Sequence, residues 1–144
     1  MPRKIDLKKK SFLVYGLGVT GCSVINFLKK KKIKHFYVWD DKAYLRQNFK
    51  NKNFTNLYDT IKKVDYIVLS PGISLKNTKH RKNLLKYKKK IITDLDLLYL
   101  SNSKFKSIVI TGSNGKSTTC KIITHLLNKN NLNAKMGGNI GTPV

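Results

Sequence analysis

Apolar residues along the chain fall into short unbroken runs separated by longer stretches with helical spacing. Phe12-Leu13-Val14-Tyr15 is the first such run, and it predicts a strand. A helix from about Thr20 to Lys30 follows, then a second strand from about His35 to Trp39. Residues 42 to 63 are polar and lysine-rich, with Phe49, Phe54, Leu57 and Ile61 as anchors for a loop and a short helix. Val64 to Leu69 predicts a third buried strand, stopped by Ser70-Pro71-Gly72. Beyond it the pattern predicts a helix near Lys79 to Lys88, a short strand from Lys90 to Ile92 and a helix that Asp94 caps. Ser101 to Lys104 is a polar connection, so a domain boundary is expected between residues 95 and 106, giving domains 1–95 and 96–144. The second begins with a strand at Ile108-Val109-Ile110, continues as a helix with the apolar face Ile122, Ile123, Leu126 and Leu127, turns at Asn128 to Asn133 and reaches a glycine loop at Met136 to Gly141.

Two of the turns between these elements carry chemistry. Gly16-Leu17-Gly18-Val19-Thr20-Gly21 joins the first strand to the first helix, and Asp40-Asp41 closes the second strand. In that context the first glycine permits a tight turn, the second lets a ligand approach the backbone and the third lets helix and strand pack closely. The acidic pair stands where a ribose-binding carboxylate is expected. Packing glycines are the alternative. Thr111-Gly112-Ser113-Asn114-Gly115-Lys116-Ser117-Thr118 is the second turn. A glycine loop at a helix start offers free N–H groups and the positive end of the helix dipole to phosphate oxygens. Lys116 would reach the terminal phosphates, and Ser117 or Thr118 could hold Mg²⁺. The common P-loop has four residues between its glycines; here only Ser113 and Asn114 lie between them, so the spacing alone is a weak signal.

Composition narrows the partners. The 144 residues are 40% hydrophobic with a net charge of +23, enough apolar content for a core. Only Arg3, Arg46 and Arg81 are arginines, and the lysines are spread over nearly every polar face instead of being gathered into a recognition element. The charge therefore reads as a general Lys/Asn bias, with no nucleic acid expected as partner. The runs Lys29 to Lys32 and Lys88 to Lys90 fall at predicted helix ends, where cations complement the dipole. No apolar run approaches a membrane span and the start lacks a secretory pattern, so a cytoplasmic location without membrane insertion is expected. Cys22, Cys120, His35, His80 and His125 are scattered, which disfavours a disulfide or a metal site built from them.

Taken together, residues 16–23, 70–73, 93–97, 111–118 and 137–141 resemble the Mur ligases, and in order and spacing the D-glutamate-adding branch of that family. The short Gly-x-x-Gly-Lys-Ser spacing is the form that family uses for ATP. The resemblance implies an α/β fold: a Rossmann-like parallel-sheet domain that binds UDP, followed by the start of a P-loop-type α/β ATPase domain. Val19, Thr20, Asp40, Asp41, Lys42, Ser70 and Gly72 match positions at the UDP site, although Lys42 stands where the branch often carries arginine. Gly112, Ser113, Asn114, Gly115, Lys116, Ser117 and Thr118 match the ATP loop, with Lys116 the catalytic phosphate lysine and Ser117 the Mg²⁺ ligand. Asn139 would lie near the precursor. The implied substrates are UDP-N-acetylmuramoyl-L-alanine and D-glutamate; ATP phosphorylates the first substrate's carboxylate and the D-glutamate amine attacks the acyl phosphate. The full-length enzyme is expected to be a monomer.

Two other readings stay open at this point: a nicotinamide-binding oxidoreductase or sensor resting on Gly16 to Gly21 and Asp40, and a basic nucleic-acid-binding protein. No strand, helix or cap closes the domain that begins at Lys106, so the chain is expected to be the amino-terminal part of a longer enzyme. In the family, further metal ligands, a modified lysine and the D-glutamate contacts lie in regions beyond those matched here. The 144-residue chain by itself is therefore expected to show no ligase activity; D-glutamate-dependent ADP release from the purified chain would contradict this.

Overall fold

Four parallel strands, β1 (Phe12–Tyr15), β2 (Phe36–Trp39), β3 (Tyr66–Leu69) and β4 (Ile91–Ile92), form one sheet in the order β2-β1-β3-β4. In this computed structural model residues 5–49, 56–101 and 106–138 are described, and the chain divides into two units, Met1–Ser103 and Lys104–Val144. The sheet belongs to the first unit. β1 pairs with β2 on one side and β3 on the other, and all four of its side chains are fully buried. Phe12 and Val14 face one core with Val24, Ile25 and Leu28 of helix α1 (Val19–Lys30) and Leu97 of α5 (Asp94–Ser101). Leu13 and Tyr15 face the other, with Leu57 and Ile61 of α3 (Leu57–Lys63) and Leu84 of α4 (Arg81–Lys86). A sheet covered on both faces is what an unbroken apolar run requires, and each such side chain contributes roughly 1.5–3 kcal/mol by burial. A short helix, α2 (Ala43–Gln47), follows β2.

The α/β parallel architecture expected from the strand and helix pattern is present. The expected positions of Phe54 and the loop around it lie outside the described residues. Three local expectations are corrected. The cap of α5 is Thr93: its Oγ1 accepts from Asp96 N at 3.2 Å, while Asp96 Oδ2 accepts from Thr93 N at 2.8 Å. This reciprocal pair satisfies donors at both ends of the first turn, and Asp94 sits inside the helix. Lys90 serves another helix, because its ammonium donates to the carbonyls of Ile61, Lys62 and Val64 at 3.3, 2.7 and 2.7 Å and so closes the carboxyl end of α3. Residues 108–110 form no strand: Ile108 and Val109 are exposed, and no described segment of the second unit offers them a ladder partner. An extended segment becomes a strand only by pairing its backbone groups. The second unit's described residues hold one helix, α6 (Lys116–Lys129). Its apolar positions Ile122 and Leu126 are exposed.

At the amino ends of the strands Asp65 holds β1 to β3. Its carboxylate accepts from Ser11 N and Ser11 Oγ, both at 2.8 Å, and from Lys10 Nζ at 3.0 Å. The Ser11 backbone N–H, outweighing partial burial, brings its pKa down to about 2, with Lys10 and the Ser11 hydroxyl assisting. A carboxyl whose pKa is lower folded than unfolded, near 3.9 in open chains, adds stability above that value and loses it as pH falls toward the folded pKa. Asp65→Asn is therefore expected to lower the urea midpoint at pH 7, with the gap to the parent chain closing between about pH 4 and pH 2. A gap independent of pH would contradict the ionic role.

Candidate functional site

The chain runs from β1 out to β2 at one side and returns to β3 at the other, and such a reversal leaves a crevice at the carboxyl ends of the central strands. The Gly16–Gly21 turn lies there. Gly16 has φ +102°, and a Cβ on it would fall 2.7 Å from the Cβ of Ser70. At Gly21 an added Cβ would come within 1.8 Å of the Gly16 carbonyl oxygen, so α1 starts pressed against the turn. Gly18, by contrast, has nothing within 4 Å of where its Cβ would be. It is the position open to an approaching group. Gly18 is also the N-cap of α1 and no side chain caps that end, which leaves first-turn N–H groups available to an acceptor.

Three polar side chains expected to meet the ligand are turned inward. Asp40 is 5% exposed; its Oδ2 accepts from Leu17 N at 2.7 Å and its Oδ1 from Lys42 N at 2.9 Å. Ser70 is buried and its Oγ donates to the Gly16 carbonyl at 2.8 Å. Asp41 Oδ1 accepts from the hydroxyl of Tyr15 at 2.6 Å and Trp39 Nε1 at 3.3 Å, and its Oδ2 from Thr78 Oγ1 at 2.9 Å and Lys79 N at 3.4 Å. Partial burial opposes ionisation of Asp41, but the hydrogen bonds from Tyr15, Thr78, Trp39 and Lys79 outweigh it and hold the carboxyl below its usual range. Burial, then the bond to Asp41, pushes the Tyr15 phenol well up. The groups that face outward are Val19, 74% exposed, Lys42 and Gly72, with Thr20 half-buried. Beside them Arg46 of α2 lies 4.1 Å over the Trp39 ring and donates to the Asp40 carbonyl at 3.2 Å. His80 meets the same ring edge-on, centroids 5.5 Å apart.

In the second unit Gly112 and Gly115 have φ +147° and +76°, and Gly115 is the N-cap of α6 with a left-handed backbone. A side chain at either position would be strained. The Lys116 ammonium donates to the carbonyls of Gly112 and of Ser113, the latter at 2.8 Å. Ser113, Asn114, Ser117 and Thr118 are exposed, and α6 has no acidic residue in its first turn. The loop thus fits a polyphosphate, with open N–H groups, a dipole end and an ammonium held by weak neutral acceptors. Ser117 offers Mg²⁺ one oxygen, and no cluster of three His, Cys, Asp or Glu occurs among the described residues. Asn139 lies outside the described residues. Two grooves of about 330 and 640 Å³ lie elsewhere, at the amino ends of the strands; one is lined by Leu7, Lys8 and Lys31, the other by Lys29, Lys34 and Phe36.

A parallel sheet with a glycine turn at its topological switch point defines a Rossmann-like α/β unit. Residues 10–93 match the family model described as "Mur ligase MurD-like, N-terminal domain", and the chain belongs to the Mur ligase family. It is 39% identical over 146 residues to the UDP-N-acetylmuramoylalanine--D-glutamate ligase of Rickettsia prowazekii (strain Madrid E), covering 95% of this chain and 31% of that protein. The Rickettsia felis ligase of the same name is 40% identical, with 94% and 31% covered, and that of Francisella philomiragia 39% identical, with 96% and 31% covered. The chain spans about a third of the length of these curated relatives.

Sequence reasoning missed Tyr15, Thr78 and Arg46. Tyr15 could have been found, since a tyrosine ending a buried strand must seat its hydroxyl on a partner. The three glycines separate fold from approach. Gly21→Ala is expected to cost roughly 1–3 kcal/mol or more through overpacking, and Gly18→Ala less than about 1 kcal/mol, both read as shifts of the urea midpoint. Equal losses would contradict the difference in space around them.

Proposed function

We propose that this chain is the UDP-binding domain and the opening of the ATP-binding domain of a ligase that adds D-glutamate to UDP-N-acetylmuramoyl-L-alanine. The observation that carries this reading is the similarity to ligases of that name, which runs through both the glycine turn and the Lys116 loop and covers 95% of the chain. The boundary between the two domains is placed between residues 95 and 106. No helix among the described residues is long and apolar enough to cross a membrane. We assign the reaction to the cytoplasm, where ATP and nucleotide-linked precursors meet.

In the first domain the N–H groups of Val19 and Thr20 face the diphosphate, Lys42 supplies a cation, and Gly72 lets the ligand lie close to the backbone. Asp40 and Ser70 hold the turn in shape. In the second, Lys116 exchanges its loop carbonyls for phosphate oxygens, a more favourable partner because the phosphate carries a full opposite charge where a carbonyl offers only a dipole. The N–H groups of Gly115 to Thr118 position the phosphates, and Ser117 contributes an oxygen to Mg²⁺. ATP with Mg²⁺ supplies the phosphoryl group that activates the acceptor's carboxylate. Positioning and neutralisation of that group are what these residues provide.

Trp39, the chain's one tryptophan, reports on the first site. UDP is expected to change its fluorescence saturably, NADH to leave it unchanged, and Lys116→Ala to weaken Mg-ATP binding about tenfold or more without altering the UDP response. A response to NADH and none to UDP would favour a nicotinamide-binding module.

A further inference from the structure

The carboxylate of Asp41 is saturated. It accepts from the Tyr15 hydroxyl, Trp39 Nε1, Thr78 Oγ1 and Lys79 N, and a carboxylate offers about four lone-pair sites. A ligand N–H or hydroxyl could reach it only by displacing one of these donors. Two of the donors are themselves buried: Tyr15 is wholly enclosed in the second core and Thr78 is 9% exposed. Each hydroxyl has one proton and gives it to Asp41, and the two hydroxyl oxygens lie 2.8 Å apart, so Tyr15, Asp41 and Thr78 form one closed cluster.

The cluster joins three pieces of chain. Tyr15 ends β1, Asp41 follows β2, and Thr78 stands three residues before α4. Between β3 and α4 the segment is pinned at its start by Ser70, whose hydroxyl holds Gly16 and whose carbonyl accepts from Ile73 N at 2.9 Å. Its far end is tied back within itself by Thr78 N to the Ser74 carbonyl at 3.0 Å. Exposed Pro71 and Gly72 lie between these two anchors. We propose that Tyr15, Asp41 and Thr78 form a latch that holds the 70–80 segment at the mouth of the crevice, and that Asp41 is a positioning residue for the uridine diphosphate site and not a contact to the ligand. This rests on the reading of that crevice as the UDP site. The ligand-facing groups beside the latch are then Lys42 and the backbone at Gly72.

Titration calorimetry of the 144-residue chain with UDP, paired with amide hydrogen exchange across residues 73–79, tests the latch. Thr78→Val and Tyr15→Phe, which alter only enclosed atoms, are each expected to weaken UDP about fivefold and to speed that exchange, while Thr78→Ser restores both. Asp41→Asn combined with Thr78→Val should be no weaker than the more affected single variant, because both act through one network. The latch is overturned if Asp41→Asn weakens UDP while Thr78→Val leaves binding and exchange as in the parent chain. It is equally overturned by additive losses. Should the parent chain fail to bind UDP, the site assignment fails, and exchange alone decides the latch: acceleration in Thr78→Val upholds it and no change refutes it.

Discussion

The mouth of the first unit depends on how closely three backbone pieces approach one another around the Gly16 carbonyl. That oxygen accepts from Ser70 Oγ at 2.8 Å, and an added Cβ on Gly21 would come within 1.8 Å of it. Only glycine allows a helix start to press on the turn this tightly, and only a small hydroxyl fits on the remaining side. The contact ties β1, α1 and β3 together at the switch point of the sheet. From it follows the direction in which the first turn of α1 presents its N–H groups, and hence where an anion could be held.

Acidic residues in this chain mostly brace structure. All seven are aspartates, against thirty lysines and arginines. Asp6 accepts from Lys8 N, Asp40 fastens the glycine turn to the turn after β2, Asp41 gathers β1, β2 and the segment before α4, Asp65 staples β1 to β3, and Asp96 completes the start of α5. A short carboxylate is well suited to nearby backbone N–H groups. With Asp40 and Asp41 committed to these inward bonds, the outward face of the crevice is left to Lys42 and backbone donors. The electrostatics there favour an anionic ligand without any arginine at the turn itself.

The sheet was legible because its two central strands are covered on both faces: Phe12 to Tyr15 and Tyr66 to Leu69 carry no solvent-facing alternation. The glycine turn was legible because each glycine answers a different steric demand. What could not be read was side-chain commitment. Asp40 and Asp41 look identical in the sequence, yet one is fastened to the glycine turn and the other to Tyr15 and Thr78, residues 26 and 37 positions away. The expected strand at Ile108 to Ile110 failed for a related reason. Periodicity registers that a segment is apolar, whereas a strand needs a partner, and none is supplied by the described part of the second unit. Thr93 and Asp94 are adjacent capping-type residues, so the sequence alone does not distinguish which of them caps α5.

Amide chemical-shift mapping of the ¹⁵N-labelled chain, with UDP added first and Mg-ATP second, tests most directly whether one chain carries these two nucleotide sites. UDP should move the amides of Gly18, Val19, Thr20, Lys42 and Gly72 and leave those of Gly112 to Thr118 in place, and Mg-ATP should do the reverse. UDP shifts confined to other surfaces, or a single set of amides answering to both nucleotides, would contradict the assignment.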